Sequence, residues 1–272
     1  MIFGSRNNHS GEQRTLRLIN KKAPFAFVEA YNSLRTNIDY LAATNHYKTF
    51  LITSSGPWDG KSTVSINLAV SMASGGKRVI LIDGDFRKAS VASYLKINRS
   101  APGIINVITQ NKPLQNAIVH RDDLNLDVLP VGALPSNPAE LVGSPVLINI
   151  LQVLSEMYDY VIIDSPPVSV VTDAAILSRL VDGVILVARA DETTKQALAA
   201  SKKNLEDVNA NILGVVLNDF DPRAHSYGYY RGYYRGYYRG YSYKYGYGKY
   251  GYGNEGKQGK RKKREKKDQD NA

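Results

Sequence analysis

The sequence predicts an α/β fold, a mostly parallel β-sheet with helices on both faces. Three observations lead there. Six short runs are almost wholly apolar: KTFLITSS, RVILIDGD, NLDVLPVG, DYVIIDSPP, GVILVARA and ILGVVLND. Runs of that kind suit strands buried on both faces. Helix-patterned stretches alternate with them, as in βαβ units. Carboxylates and a glycine-containing loop follow several of the runs, so polar chemistry gathers at the sheet edge where such folds bind ligands.

The elements follow in chain order. Residues 1–23 are polar and predict a flexible leading segment. Pro24 opens a helix, PFAFVEAYNSLRTNIDYLAAT, with apolar residues at helical spacing. KTFLITSS is the first buried strand. A loop and an amphipathic helix, KSTVSINLAVSMAS, come next, and Gly75-Gly76 stops that helix. After the second strand, RVILIDGD, the helical stretches PAELVGSPVLINILQVLSEM and TTKQALAASKKNLEDVN lie between or beside the remaining strands. One folded domain over 24–220 is the economical reading, with a tail over 221–272 that begins at Asp221-Pro222.

Composition bounds the function. The 272 residues suffice to bury a large core. There is no cysteine, which excludes disulfides and Cys-based metal sites. His9, His46, His120 and His225 are scattered without ligand spacing. No apolar run is long enough to span a bilayer, and the first residues lack the apolar core of a signal peptide. A cytoplasmic protein is expected. The net charge of +10 sits in the tail, where 14 Lys and Arg against 5 Asp and Glu give +9. The basic balance therefore says little about the folded body.

SSGPWDGKST, residues 54–63, stands between a strand and a helix. Gly60-Lys61-Ser62 matches the end of the phosphate-loop pattern G-x-x-x-x-G-K-[ST]. Backbone N–H groups of such a loop cradle phosphates, the lysine reaches their oxygens, and the hydroxyl ligates Mg²⁺. Ser55 replaces the first glycine of the pattern, and Trp58 is a bulky neighbour. An ordinary glycine turn capping a helix is the plainer alternative, but the strand–loop–Gly-Lys-Ser–helix order favours nucleotide binding. RVILIDGDFRK places Asp83 and Asp85 after one strand, and YVIIDSPP places Asp164 at the end of another. One such Asp reads as a turn or helix cap. Three beside this loop read as hard oxygen ligands for Mg²⁺. The fold class is thus P-loop NTPase-like.

The loop, the D-x-D-x-R of Asp83, Asp85 and Arg87, the VIIDSPP strand and the tyrosine-rich tail together resemble the bacterial tyrosine kinases, P-loop enzymes unrelated to eukaryotic protein kinases. The form resembled is the separate cytoplasmic kinase of Gram-positive capsule and exopolysaccharide loci. LPVGALPSNPAELVGSP fits the same family. The resemblance implies ATP and Mg²⁺, and tyrosine autophosphorylation in trans. Gly56, Asp59, Gly60, Lys61, Ser62, Thr63 and Asn218 are the implied nucleotide contacts. Ser62, Asp83, Asp85 and Asp164 are the implied metal ligands. Lys61, Asp83, Asp85, Asp164 and Arg87 are the implied catalytic set. In it Asp83 is the base for a phenol whose ordinary pKa near 10 makes it a poor nucleophile unaided, and Arg87 orients the acidic cluster.

The family also implies a transmembrane activator, a polysaccharide co-polymerase, which docks the kinase at the inner face of the membrane. A cognate phosphotyrosine phosphatase is a further implied partner. A ring-shaped homo-oligomer is implied through an E-x-x-R-x-x-R helix. Here that motif is Glu29, Asn32 and Arg35, so asparagine replaces the middle arginine. The spacing still stacks the three on one helix face.

The tail holds Tyr227, Tyr229, Tyr230, Tyr233, Tyr234, Tyr237, Tyr238, Tyr241, Tyr243, Tyr245, Tyr247, Tyr250 and Tyr252, with Tyr-Tyr-Arg-Gly repeated three times. Its glycines and lack of period predict disorder rather than a core. The resemblance makes these tyrosines phosphoacceptors. Two other readings compete. A positioning ATPase of the MinD/ParA kind shares the sheet and loop, but its extra early lysine is absent from SSGPWDGKS and it has no use for the tyrosines. Alternatively, the Tyr, Arg and Gly tail binds RNA, or its last basic run meets anionic lipid.

Overall fold

β1 (Thr49–Ser54), β2 (Val79–Asp83), β4 (Leu126–Leu129), β5 (Tyr160–Asp164), β6 (Gly183–Arg189) and β7 (Ile212–Asn218) pair in parallel, and β3 (Val119–Arg121) pairs antiparallel with β4 at one edge. Their order across the sheet is β3-β4-β2-β5-β1-β6-β7. The structure, a computed structural model, describes residues 16–98 and 100–221. The thirteen tail tyrosines lie outside the described residues.

β1, β2 and β5 are buried at every position, which is why they read as unbroken apolar runs. Alternate side chains feed two cores. Phe50, Ile52, Leu81, Ile162 and Val187 face α1 (Phe25–Asn45) and α2 (Lys61–Ser74). Leu51, Ile80, Ile82, Ile163 and Leu186 face α4 (Ile104–Gln110), α6 (Pro145–Met157) and α7 (Asp173–Ser178). The edge strand β7 exposes Val215 and Leu217. α8 (Lys195–Glu206) precedes it.

Three expectations change. α2 is not amphipathic, because Val64 through Ala73 are all buried. The sheet covers one side of the helix and α1 the other, so its polar residues need partners inside the fold. Asn67 supplies one such set: its Oδ1 accepts from Ile19 N at 2.8 Å and its Nδ2 donates to Arg17 O at 2.9 Å. That pair fastens residues 16–19, assigned from sequence to a flexible leading segment, with Leu16, Leu18 and Ile19 packed on the core. The stretch read as one helix from Pro138 is two, α5 (Pro138–Val142) and α6. Pro145 lacks the N–H to continue a helix but suits a first turn, and Ser144 Oγ accepts from Leu147 N at 3.2 Å as the new cap. Between β2 and β4 lie α3 (Val91–Tyr94), α4, a 3-10 turn at Leu114–Ala117 and β3. These pieces are too short to carry a period. Among the described residues no helix is long and apolar enough to cross a membrane.

Candidate active site

The phosphate loop leaves β1 and enters α2 through Gly60, at φ 95°. A Cβ there would stand 1.9 Å from Asn218 Nδ2, so both conformation and space demand glycine. No side chain caps α2, which leaves its first N–H groups for an anion. Asp59 braces the loop from within. Its Oδ2 accepts from Gly56 N at 2.7 Å, and its Oδ1 accepts from Thr193 Oγ1 at 2.8 Å. Thr193 Oγ1 in turn accepts from Arg189 N at 2.8 Å. Asn218 Nδ2 donates to the Asp59 carbonyl at 2.9 Å. The structure thus places Asp59 and Asn218, both inferred nucleotide contacts, as struts of the loop.

On the other side of the loop, parallel register sets Asp83 beside Asp164 at the ends of β2 and β5. Both are fully buried. Gly84 lets the chain turn there, since a Cβ would come within 2.9 Å of Ile163 Cγ2. Asp83 Oδ2 accepts from the N–H groups of Ser90 and Val91, each at 3.0 Å. Burial and then the neighbouring Asp164 push its pKa up to about 7, against the opposing pull of the Val91 N–H and the Lys61 ammonium. Asp85 Oδ1 accepts from Lys88 N at 2.9 Å. Lys61 Nζ lies 3.3 Å from Asp85 Oδ2 and 3.9 Å from Asp164 Oδ2. Burial pulls the lysine pKa down, but Asp164 and Asp85 outweigh it and the balance is upward.

Asp164 is raised by burial, with Lys61 opposing. Its Oδ1 lies 3.1 Å from Ser65 Oγ, while its buried Oδ2 makes no hydrogen bond among the described residues. Ser62 Oγ sits 3.1 Å from Ser90 Oγ. An orphaned carboxylate oxygen, a serine hydroxyl and two further carboxylates are the hard donors Mg²⁺ takes. Among the described residues no three acidic, His or Cys side chains converge into a cage of their own. That fits an ion that keeps waters and shares substrate phosphates.

Among the described residues Arg87 makes no hydrogen bond to the cluster, although its pKa is held up by Asp173 and, to a lesser degree, by Asp85. Its guanidinium grips the buried Asp173 with two bonds, of 2.8 and 3.0 Å, and so pins the loop that follows Asp85. Glu29, Asn32 and Arg35 do share a face of α1. Asn32 Nδ2 donates to Glu29 Oε1 at 2.9 Å, its Oδ1 accepts from Ser71 Oγ at 3.2 Å, and Arg35 donates to the Ser71 carbonyl at 2.6 Å. Two of the three are thereby engaged with α2. Trp58, at the tip of the phosphate loop, has φ 72°, a left-handed conformation that costs a non-glycine residue roughly 1–2 kcal/mol. The residue is 67% exposed, and Lys88 Nζ lies over its ring at 4.7 Å from the centroid. Thr193, Asp173 and Ser90 belong to the site and escaped sequence reading. Thr193 stands in ETTK, where the only local signal is a helix cap.

The AAA domain model, AAA_31, matches residues 56–216. Tyrosine-protein kinase YwqD of Bacillus subtilis (strain 168) is 37% identical over 203 residues, covering 74% of this chain and 85% of the relative. Putative tyrosine-protein kinase EpsB of Ralstonia solanacearum is 36% identical over 203 residues, and there the match spans 27% of the longer protein. The kinase domain of Escherichia coli tyrosine kinase ETK superimposes with a TM-score of 0.70 at 31% identity, over 79% of this chain and 89% of that one.

Proposed function

The chain belongs to the bacterial tyrosine-protein kinases, and from that premise we propose that it phosphorylates its own C-terminal tyrosine cluster. Transfer runs in trans within a homo-oligomer, as part of the control of capsular or exopolysaccharide synthesis. The observation that carries this reading is Lys61, held between Asp85 and Asp164 at the uncapped start of α2. A cation for phosphate oxygens and carboxylates for a phenol meet at one point.

ATP phosphates take the N–H groups of Gly60, Lys61, Ser62 and Thr63, and the base takes the Asn218 side of the loop. Lys61 exchanges its carboxylate partners for phosphate oxygens. Ser62, Asp83, Asp85 and Asp164 would hold Mg²⁺, which supplies charge neutralisation across the transferring group. Asp83 and Asp85 guide the incoming phenol. Asp83 accepts the phenolic proton as the tyrosyl oxygen bonds to the γ-phosphorus and the bond to ADP breaks. Arg87 acts as a positioning residue through Asp173.

The family resemblance supplies the remaining parts of the proposal. A transmembrane activator holds the kinase at the membrane's inner face and completes its site, a phosphatase reverses the modification, and the α1 face with Glu29, Asn32 and Arg35 joins subunits. Each phosphate adds about −1.5 to −2 charge, so five or six cancel the tail's +9. Unmodified tails then favour assembly, and phosphorylated ones are repelled from the carboxylates and from each other. The test is intact mass after incubation with Mg-ATP, with and without an activator's cytoplasmic segment. Serial single-phosphate steps mapped to 227–252 are expected, and a chain that gains none would sink the reading.

A further inference from the structure

Among the phosphate-loop residues without a part in phosphoryl transfer, Trp58 stands out. It is the sole tryptophan of the chain, and the residue stands mostly in solvent at the mouth of the site. A packing role would bury it. A turn role would be met better by glycine, given φ 72°. The direction in which the ring leans is informative. It meets Lys88, whose backbone N–H is bonded to Asp85, in the loop that follows β2. Asn218, at the end of β7, touches the loop from the other side, and β2 and β7 lie on opposite sides of β1. The indole therefore leans toward the β2 side of the loop rather than the side assigned to the nucleotide base.

We infer that Trp58 is the docking platform for the acceptor, and that it selects the Tyr-Tyr-Arg-Gly segment, residues 229–240. This rests on the tail being the acceptor. The chemistry is specific. The indole face already draws an ammonium, and a guanidinium suits an aromatic face better because it is flat and more weakly hydrated. An arginine of the repeat takes the place of Lys88 on the ring. The adjoining tyrosines then lie beside Asp85, with an aromatic partner at hand. Basic peptide and buried acids are complementary in charge. The four-residue period lets the same ring serve Arg231, Arg235 and Arg239 in turn.

The test uses the full chain carrying Arg231→Ala, Arg235→Ala and Arg239→Ala, so that its own repeats leave the ring open, and a synthetic peptide of three Tyr-Tyr-Arg-Gly repeats. Trp58 emission, excited apart from tyrosine, should change when peptide is added without nucleotide, and should not change with a peptide in which alanine replaces each arginine and leucine each tyrosine. In steady state, Trp58→Gly should raise the peptide KM about tenfold, the loss of one aromatic–cation contact of about 1.4 kcal/mol. Its KM for ATP should stay within about twofold, and Trp58→Phe should recover most of the loss. Flat emission on peptide addition, an unchanged peptide KM in Trp58→Gly, or an ATP KM that rises in step would each overturn the inference. If the peptide moves the emission but neither it nor the tail is phosphorylated, the platform stands and the acceptor reading above is what fails.

Discussion

Two polar clusters flank the same phosphate loop and are built on opposite terms. On the β7 side, Thr193, Asp59 and Asn218 satisfy one another in a chain of hydrogen bonds of 2.8 to 2.9 Å. On the β2 side, three carboxylates crowd one lysine, burial raises the pKa of Asp83, and one buried oxygen makes no hydrogen bond among the described residues. The first cluster is complete without a ligand. The second is not, and like charges crowded at such depth are a mark of functional sites. The contrast separates scaffold from chemistry more sharply than any single distance.

Substitutions should divide along that line. The largest effects fall on the β2 side. Lys61→Met should cut phosphotyrosine formation by about 10³ or more, since it removes the cation from the developing charge, and circular dichroism should stay native. Asp83→Asn should be equally inactive yet melt higher than the parent at neutral pH. The Asp83 pKa is higher folded than unfolded, so the parent loses stability as pH climbs from about 4 to about 7 and the loss stays constant above that. The variant's gain should grow across that window and vanish below it. A thermal scan series that shows no pH-dependent gain would place Asp83 in a better-solvated setting.

The β7 side should behave in the reverse sense. Thr193→Val leaves a buried Asp59 oxygen without its donor, which costs about 1–3 kcal/mol. A lower denaturation midpoint and an ATP KM raised a few-fold are expected, with kcat largely kept. If kcat fell as far as in Lys61→Met, the division between the two sides would be lost. The smallest effect is reserved for the α1 face. Arg35→Met removes a cation from the last turn of α2, worth about 0.3–1 kcal/mol. Chemical denaturation should resolve that cost. Sedimentation of the same variant reports on the proposed subunit contact, where a drop in mass is expected.

The β2 side was largely legible in the sequence, because its acids follow apolar runs and its lysine sits in a pattern with a mechanism. Asp83, Asp85, Asp164 and Lys61 are each announced by their immediate neighbours. Thr193 and Asp59 are 134 positions apart, and Arg87 and Asp173 are 86 apart, so no local pattern could join them. α2 misled for a related reason. Its serines and asparagine imitate a wet face, and only the arrival of α1 and of Arg17 and Ile19 converts that face into interior. β7 gave the opposite ambiguity: its apolar run matched the inner strands, although an edge leaves half of it in water.

The double cover over α2 bears on how the molecule opens. Its amides, shielded above and below, should exchange with solvent only when one of the two covers lifts. The outer helix is held by the buried Phe27, Tyr31 and Ile38, and by Arg35 and Asn32 at Ser71, Tyr31 at the Thr63 carbonyl and Asp39 at Tyr160. Peeling it back would bare α2 without breaking the sheet, and α2 begins in the phosphate loop. A binder that clamps α1 from outside should therefore slow deuterium uptake beneath it, and stiffen a nucleotide site it never touches.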